Sequence, residues 1–243
     1  MMTVGNIIDA SAFFGAGLCM GTGAVGAAIG EGYAAGSAVN SISQQPAASG
    51  EILKTMLVSM AIAESASIFA LVVAILLIFQ KFSNGNLYTA MALISSGISM
   101  GIGAFGAGVG SGFPGGTACI GIARNPRAAG AISTNMLIGQ AVAQTPAIFA
   151  MLVSFILMYK SYPSTIKITY LLGILGAGVS MGFGAIGPGI GGGLAAASAA
   201  EGVSKNPVAS NILTRIMLIG QAVSQSTSVY ALVISFVLLF VVK

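Results

Sequence analysis

Six long apolar stretches, near residues 10–41, 49–79, 87–122, 129–159, 168–203 and 209–242, alternate with short polar breaks. Each exceeds the roughly 20 residues that cross hydrocarbon as a helix, and several are long enough to project beyond it. None shows the polar/apolar alternation of a membrane barrel strand. The pattern therefore predicts an all-α membrane protein with six transmembrane helices. Three of the breaks are tight and contain a proline: Ser43-Gln-Gln-Pro46, Ala123-Arg-Asn-Pro126 and Ser204-Lys-Asn-Pro207. A residue that precedes proline disfavours the helical region, so each break predicts a turn between antiparallel helices. The other two breaks, 80–87 and 160–167, are looser and carry Lys, Asn, Gly, Ser and Pro.

The prolines recur at intervals of 80 and 81 residues, and the sequence around them recurs too. Repeats of this kind are one structural unit used several times. The chain is expected to be three helical hairpins in tandem, spanning 1–82, 83–163 and 164–243. In each, a Gly-rich helix is followed by one richer in Leu, Val, Ile and Phe. The first helix of each unit carries a glycine ladder, as in Gly15, Gly17, Gly21, Gly23, Gly26 and Gly30. Small residues at such spacings let helix backbones approach closely in lipid, which predicts a tight inner wall of Gly-rich helices.

Composition narrows the function. The chain is 56% hydrophobic and 6% charged, with a mean hydropathy of +0.98, far from the roughly one quarter charged residues of soluble domains. A basic n-region is missing and the first apolar stretch is too long for a cleavable signal, so none is expected. The net charge of +4 is spread over helix ends and points to lipid headgroups rather than nucleic acid. Histidine is absent, which removes the usual transition-metal ligand and general base. Cys19 and Cys119 are read as buried structural thiols at nearly equivalent places in the first and third helices. The sequence holds no nucleotide site or catalytic nucleophile, and no covalently bound cofactor is expected.

Two acids carry the candidate chemistry. Glu64 lies within the second apolar stretch, in Met56-Leu-Val-Ser-Met-Ala-Ile-Ala-Glu64-Ser65. The later copies of this segment have Gln144-Thr145 and Gln225-Ser226 at the same point. A carboxylate at bilayer depth is costly and marks an ion or proton path. Glu31 lies fifteen residues before Pro46 and Glu64 eighteen after it, so at about 1.5 Å rise per residue the hairpin brings both to nearly one level. The counterparts of Glu31 are Ser111 and Gly192. Two carboxylates in a low-dielectric site do not both stay charged without help; a bound cation or shared proton removes the repulsion. Oxygen donors suit a small hard cation. The Ser65 hydroxyl, the Ile62 carbonyl, or Thr145 and Ser226 from other hairpins could complete the shell. Glutamine retains hydrogen bonding at that depth but cannot supply compensating charge.

These features together resemble the rotor-ring c subunit, or proteolipid, of rotary ATPases, fused three times over essentially all of the chain. The resemblance rests on the Gly-rich first helix and on turns of the Arg-Gln-Pro kind, here Gln44-Gln45-Pro46, Arg124-Asn125-Pro126 and Lys205-Asn206-Pro207. It rests also on the second-helix motif Gly-Gln-Ala-Val-Ala-Glu. Gly30-Glu31-Gly32-Tyr33-Ala34-Ala35-Gly36 is similar to a segment of sodium-binding F-type rotor proteins, whereas Phe69 stands where tyrosine is often found and Tyr230 retains it. The resemblance implies a ring of hairpins, made of this chain or with other c subunits, rotating against a stator a subunit and contacting central-stalk subunits. Glu64 would carry the ion, Na⁺ or H⁺, with Glu31, Ser65 and Ile62 as ligands. Thr145 with Val142, or Ser226 with Val223, would be the alternatives from a neighbouring hairpin. The expected location is a bacterial or archaeal cell membrane, with the protein passing through it several times.

With no nucleotide site of its own the rotor is expected to be non-catalytic, and one acid for three hairpins implies few ions per turn, which favours ATP-driven pumping over synthesis. The competing readings are an ion channel or secondary transporter built from parallel repeats, and a purely structural membrane oligomer.

Overall fold

The computed structural model describes residues 4–82, 85–163 and 167–241. Helix α1 (Val4–Gln44) leads through a 3₁₀ turn (Pro46–Ala48) into α2 (Ser49–Phe79). Helix α3 (Leu87–Arg124) leads through Pro126–Ala128 into α4 (Ala129–Ala143) and α5 (Thr145–Tyr159). Helix α6 (Ile168–Lys205) leads through Pro207–Ala209 into α7 (Ser210–Phe240). The hairpin borders expected at 82/83 and 163/164 adjoin residues 83–84 and 164–166, which lie outside the described residues.

The three turns share one conformation. The residues before the prolines, Gln45, Asn125 and Asn206, adopt φ of −139°, −141° and −140° with ψ of 74°, 79° and 84°. Proline disfavours helical backbone in the residue before it, and the chain re-enters a helix within three residues. The carbonyls of Gln45, Asn125 and Asn206 accept from the N–H groups of Ala48, Ala128 and Ala209 at 3.0–3.1 Å.

Six spans are long and apolar enough to cross a membrane, as expected, but the fourth is made of two helices. The interruption at Gln144 follows from Pro146. Proline has no N–H and its ring crowds the carbonyl four residues earlier, so the Val142 carbonyl loses its helical donor.

Helix α3 is the keystone of the packing. One face lies against α1 and the other against α6, while α1 and α6 share no packed face. Helices α2, α4–α5 and α7 form an outer row, each covering the inner helix of its own hairpin. The chain is thus an open, two-layered arc with one free edge at α1–α2 and another at α6–α7. At the inner seams backbone meets backbone: a Cβ on Gly30 would strike the Gly108 carbonyl, and one on Gly110 the Gly189 carbonyl. The free edges repeat these faces without a partner. Gly17, Gly21 and Gly32 occupy the places of Gly97, Gly101 and Gly112, and a Cβ on any of the three would meet nothing within 4 Å. The same holds for Gly187, in the place of Gly106.

The cysteines do not hold equivalent positions, contrary to the expectation from sequence. Cys19 Sγ donates to the Ala70 carbonyl at 3.3 Å. Its counterparts by register are Ser99, donating to the Ala150 carbonyl at 3.1 Å, and Ser180, donating to the Ala231 carbonyl at 3.3 Å. Cys119 lies nearer the turn, with Sγ 3.8 Å from the Ile52 carbonyl. Both thiols are buried, as anticipated.

Substituting Gly110→Ala forces the α3 and α6 backbones apart and is expected to destabilise the detergent-solubilised chain by about 2–3 kcal/mol. Gly130→Ala, where a Cβ has open space, is expected to be neutral or to gain up to about 1 kcal/mol from helix propensity. Denaturant titration followed by circular dichroism checks the pair; equal stabilities would remove the close-approach argument.

Candidate ion-binding site

Glu31 is half-buried on α1, and Glu64 lies on α2 at the free edge. The Pro46 turn places the two acids on the paired helices α1 and α2 of the first hairpin. Ser65 Oγ donates to the Ile62 carbonyl at 2.6 Å, and Ser67 Oγ to the Glu64 carbonyl at 2.9 Å. The carbonyl of Ile62 therefore lies one helical turn or less from both Glu64 and Ser65.

The second hairpin shows what occupies this place when the acid is absent. Gln144 is buried, and its Nε2 donates to the Ile62 carbonyl of the first hairpin and to Ser111 Oγ of its own, both at 2.8 Å. Ser111 is the counterpart of Glu31. In the third hairpin Gln225 Nε2 donates to the Val142 carbonyl of the second at 2.6 Å. Pro146 has already stripped that carbonyl of its helical donor, so the amide replaces a missing bond. The rule is the same at both seams: an amide from one hairpin donates to a carbonyl of the hairpin before it.

A second tier of amides lies one helical turn away, and sequence reasoning missed it. Gln140 Nε2 donates to Ser59 Oγ at 2.8 Å and to the Ser111 carbonyl at 2.6 Å. Gln221 Nε2 donates to the carbonyls of Gly139 at 2.8 Å and Gly192 at 2.9 Å. The signal was present, since Gln140 and Gln221 align while the first hairpin has Met60. Closer to the turns, Thr55 and Ser133 hydroxyls lie 3.1 Å apart, and Asn135 Nδ2 donates to Thr214 Oγ1 at 2.8 Å. Each seam within the chain thus has side-chain clasps at these three levels of its outer row, and a further one at the ends away from the turns, where the Tyr159 hydroxyl donates to Gln80 Oε1 at 2.6 Å and Lys160 Nζ to the Leu239 carbonyl.

The remaining candidate residues divide by location. Thr145 is the first residue of α5, half-buried in the place of Ser65. Val142 offers its carbonyl to Gln225, as described. Val223 and Ser226 lie on α7 at the opposite free edge from Glu64, where Ser226 Oγ donates to the Val223 carbonyl at 2.8 Å. No donor from another hairpin reaches Val223 among the described residues. Within one chain Glu31 and Glu64 share the first hairpin, and Val223 and Ser226 lie on the third. Among the described residues no three His, Cys, Asp or Glu side chains converge, so the chemistry here is that of two acids with neutral oxygens.

Comparison with known proteins agrees with this division into three. The family model described as the ATP synthase C subunit matches residues 14–77, 94–157 and 175–238. Among curated proteins, the ATP synthase c subunit of Natranaerobius thermophilus is 47% identical over 76 residues, covering 31% of this chain and 87% of that protein. The c subunit of Petrotoga mobilis is 49% identical over 72 residues, covering 30% and 75%. The chloroplastic c subunit of Ostreococcus tauri is 49% identical over 75 residues, covering 31% and 92%. Each of these relatives matches about a third of the chain, while the family model recurs three times along it. The chain belongs to the ATP synthase c-subunit family.

Proposed function

We propose that this non-catalytic rotor protein carries Na⁺, or H⁺, on Glu64, with one ion site for each chain of three hairpins. The observation that supports it is a substitution of chemistry at a fixed point. At both seams within the chain an amide donor meets a carbonyl; at the remaining position the side chain is a carboxylate. A carboxylate facing a carbonyl is acceptor against acceptor, and a cation between them turns the contact from repulsive to attractive. Glu31 adds a second acid where the other hairpins have Ser111 and Gly192. A shared proton would serve the same end in a proton-coupled rotor.

The repeat rule also selects among the candidate ligands. Carried round to the free edges, it sets Glu64 of one copy opposite the Val223 carbonyl of a second copy, with Ser226 beside it. Ile62 and Ser65 take the corresponding role toward Gln144, and Val142 and Thr145 toward Gln225. The free glycine edges favour the same head-to-tail arrangement, since they repeat the inner seam faces. The working unit is then a ring of these chains, alone or with other c subunits, that meets a stator a subunit, the central stalk and lipid. The hairpin bearing the site is 1–82, and 83–163 and 164–243 are spacers without a carboxylate. The membrane in this reading is that of a bacterial or archaeal cell.

Gearing favours pumping. One charge crossing 100 mV is worth about 2.3 kcal/mol. A ring built of this chain carries a third as many ions per turn as a ring of the same hairpin number with an acid on each. Fewer ions supply less work for synthesis, and the same ATP energy pumps against a steeper gradient.

Carbodiimide is expected to label Glu64, and Na⁺ to protect it, with one protected carboxylate per chain. Labelling indifferent to Na⁺ would assign protons instead, and an unreactive Glu64 would sink the carrier reading. In the same assay Ser226→Ala is expected to raise the Na⁺ concentration for half-protection roughly tenfold, a loss of about 1.4 kcal/mol. Ser65→Ala is expected to leave it within about twofold; the reverse ranking would return the ligand role to Ser65 and Ile62.

A further inference from the structure

The outer row holds a polar cleft near the turns that the ion site does not use. We infer that this cleft, between α4 and α7 beside Arg215, binds the headgroup of an anionic phospholipid that carries free hydroxyls, of the phosphatidylglycerol class. The inference is independent of which ion Glu64 carries.

The cleft is open and has a volume of about 480 Å³. Thr134 and Asn135 of α4 line one wall, and Ser210, Asn211, Thr214 and Arg215 of α7 the other, with no acid among them. Arg215 is exposed at the mouth, with neither an ion pair nor a hydrogen bond among the described residues. Asn135 is only 1% exposed and forms the floor. Its Nδ2 donates to Thr214 Oγ1 at 2.8 Å, and Thr214 Oγ1 gives its own proton to the Ser210 carbonyl at 2.9 Å. That relay fixes the orientation of the amide, because Thr214 has no second proton to offer. Asn135 Oδ1 is therefore a buried acceptor without a donor. Leaving such a group unpaired is costly. The cleft thus joins an unneutralised cation to an acceptor in want of an N–H or O–H.

The first seam does not repeat this chemistry. Lys54 stands in the place of Thr134, and Glu51 beside it supplies a counter-charge at 3.9 Å. Thr55 and Ser133 replace Asn135 and Thr214, and their two hydroxyls satisfy each other at 3.1 Å. The depth of the second-seam cleft selects a lipid. The span Pro207–Phe240 has 34 residues, or about 51 Å of helix, against about 30 Å of hydrocarbon. Centred in the bilayer, it projects by about 10 Å at each end, and Arg215 lies about 12 Å from its start, where a long side chain reaches the phosphates. Ile138 on the cleft wall and Ile212 and Ile216 near it are exposed, an apolar surface for acyl chains. A guanidinium pairs with a phosphate through two parallel N–H···O bonds. A headgroup hydroxyl beyond that phosphate is the donor that Asn135 lacks, whereas an ammonium would set a second cation beside Arg215. Basic pockets between spans are a recurrent form of lipid-headgroup site.

The test uses the purified full-length protein in mild detergent, with bound lipids counted by native mass spectrometry. It is titrated with phosphatidylglycerol, with phosphatidylethanol, which has the same charge but no hydroxyl, and with phosphatidylcholine. One phosphatidylglycerol per chain is expected to bind about tenfold more tightly than phosphatidylcholine and about threefold more tightly than phosphatidylethanol. Arg215→Gln is expected to weaken phosphatidylglycerol about tenfold, and Lys54→Gln, at the first seam, to leave it within about twofold. Asn135→Thr takes the residue of the first seam and keeps a hydroxyl for Thr214. It is expected to abolish the preference over phosphatidylethanol while helicity is unchanged. Soluble glycerol phosphate is expected not to displace the lipid; displacement would assign the cleft to a free anion and overturn the reading. Equal affinity for the three lipids, or adducts that accumulate past one per chain without a plateau, would overturn it too. So would an Arg215→Gln protein that binds as the wild type does, or a preference for phosphatidylglycerol that survives Asn135→Thr.

Discussion

Everything in this chain depends on how closely two helix backbones can approach inside a membrane. Lipid tails are as apolar as leucine, so helices gain little from mutual burial and must be held by packing and hydrogen bonds. Glycine on both sides of the α1–α3 and α3–α6 seams removes the side chains that would keep the backbones apart. That approach fixes the register of the inner row, and each outer helix is strung from its inner helix through a short proline turn. The vertical positions of Gln140, Gln144, Gln221 and Gln225 follow from this. An amide finds a carbonyl of the neighbouring hairpin because the glycines of the inner row have set the height.

The hairpins and their inner wall were legible in the sequence because they obey strong local rules. Proline spacing gave the turns, apolar length the spans, and glycine periodicity the packing face. What escaped was whatever depended on contacts between hairpins. Gln140 and Gln221 looked like ordinary motif residues until their acceptors, Ser59 and Gly139, proved to lie on the preceding hairpin. Pro146 stood in plain view, yet its effect concerns the carbonyl of Val142 four residues earlier and its use by Gln225 eighty-three residues later. The two cysteines share a setting without sharing a register; the repeat interval pairs Cys19 with Ser99 instead.

The same amide groups explain how two hairpins can lose the acid without losing the seam. An acid at bilayer depth obliges the protein to provide a counter-charge or a proton at every moment. An amide makes no such demand, and in exchange it does nothing but hold. On the proposed reading the three hairpins divide two roles that a single-hairpin subunit must combine: cohesion, given to the second and third, and ion exchange, left to the first. Four buried amide oxygens, on Asn135, Gln140, Gln144 and Gln221, have no protein partner among the described residues.

The covalent links after α2 and α5 have a plainer arithmetic effect. Hairpins joined on one polypeptide cannot enter a ring singly. A ring made of this chain alone can contain hairpins only in multiples of three, and its charged positions must fall at every third place without error. In such a ring the spacing of the acids, which separate subunits settle afresh in each assembly, is written into the gene.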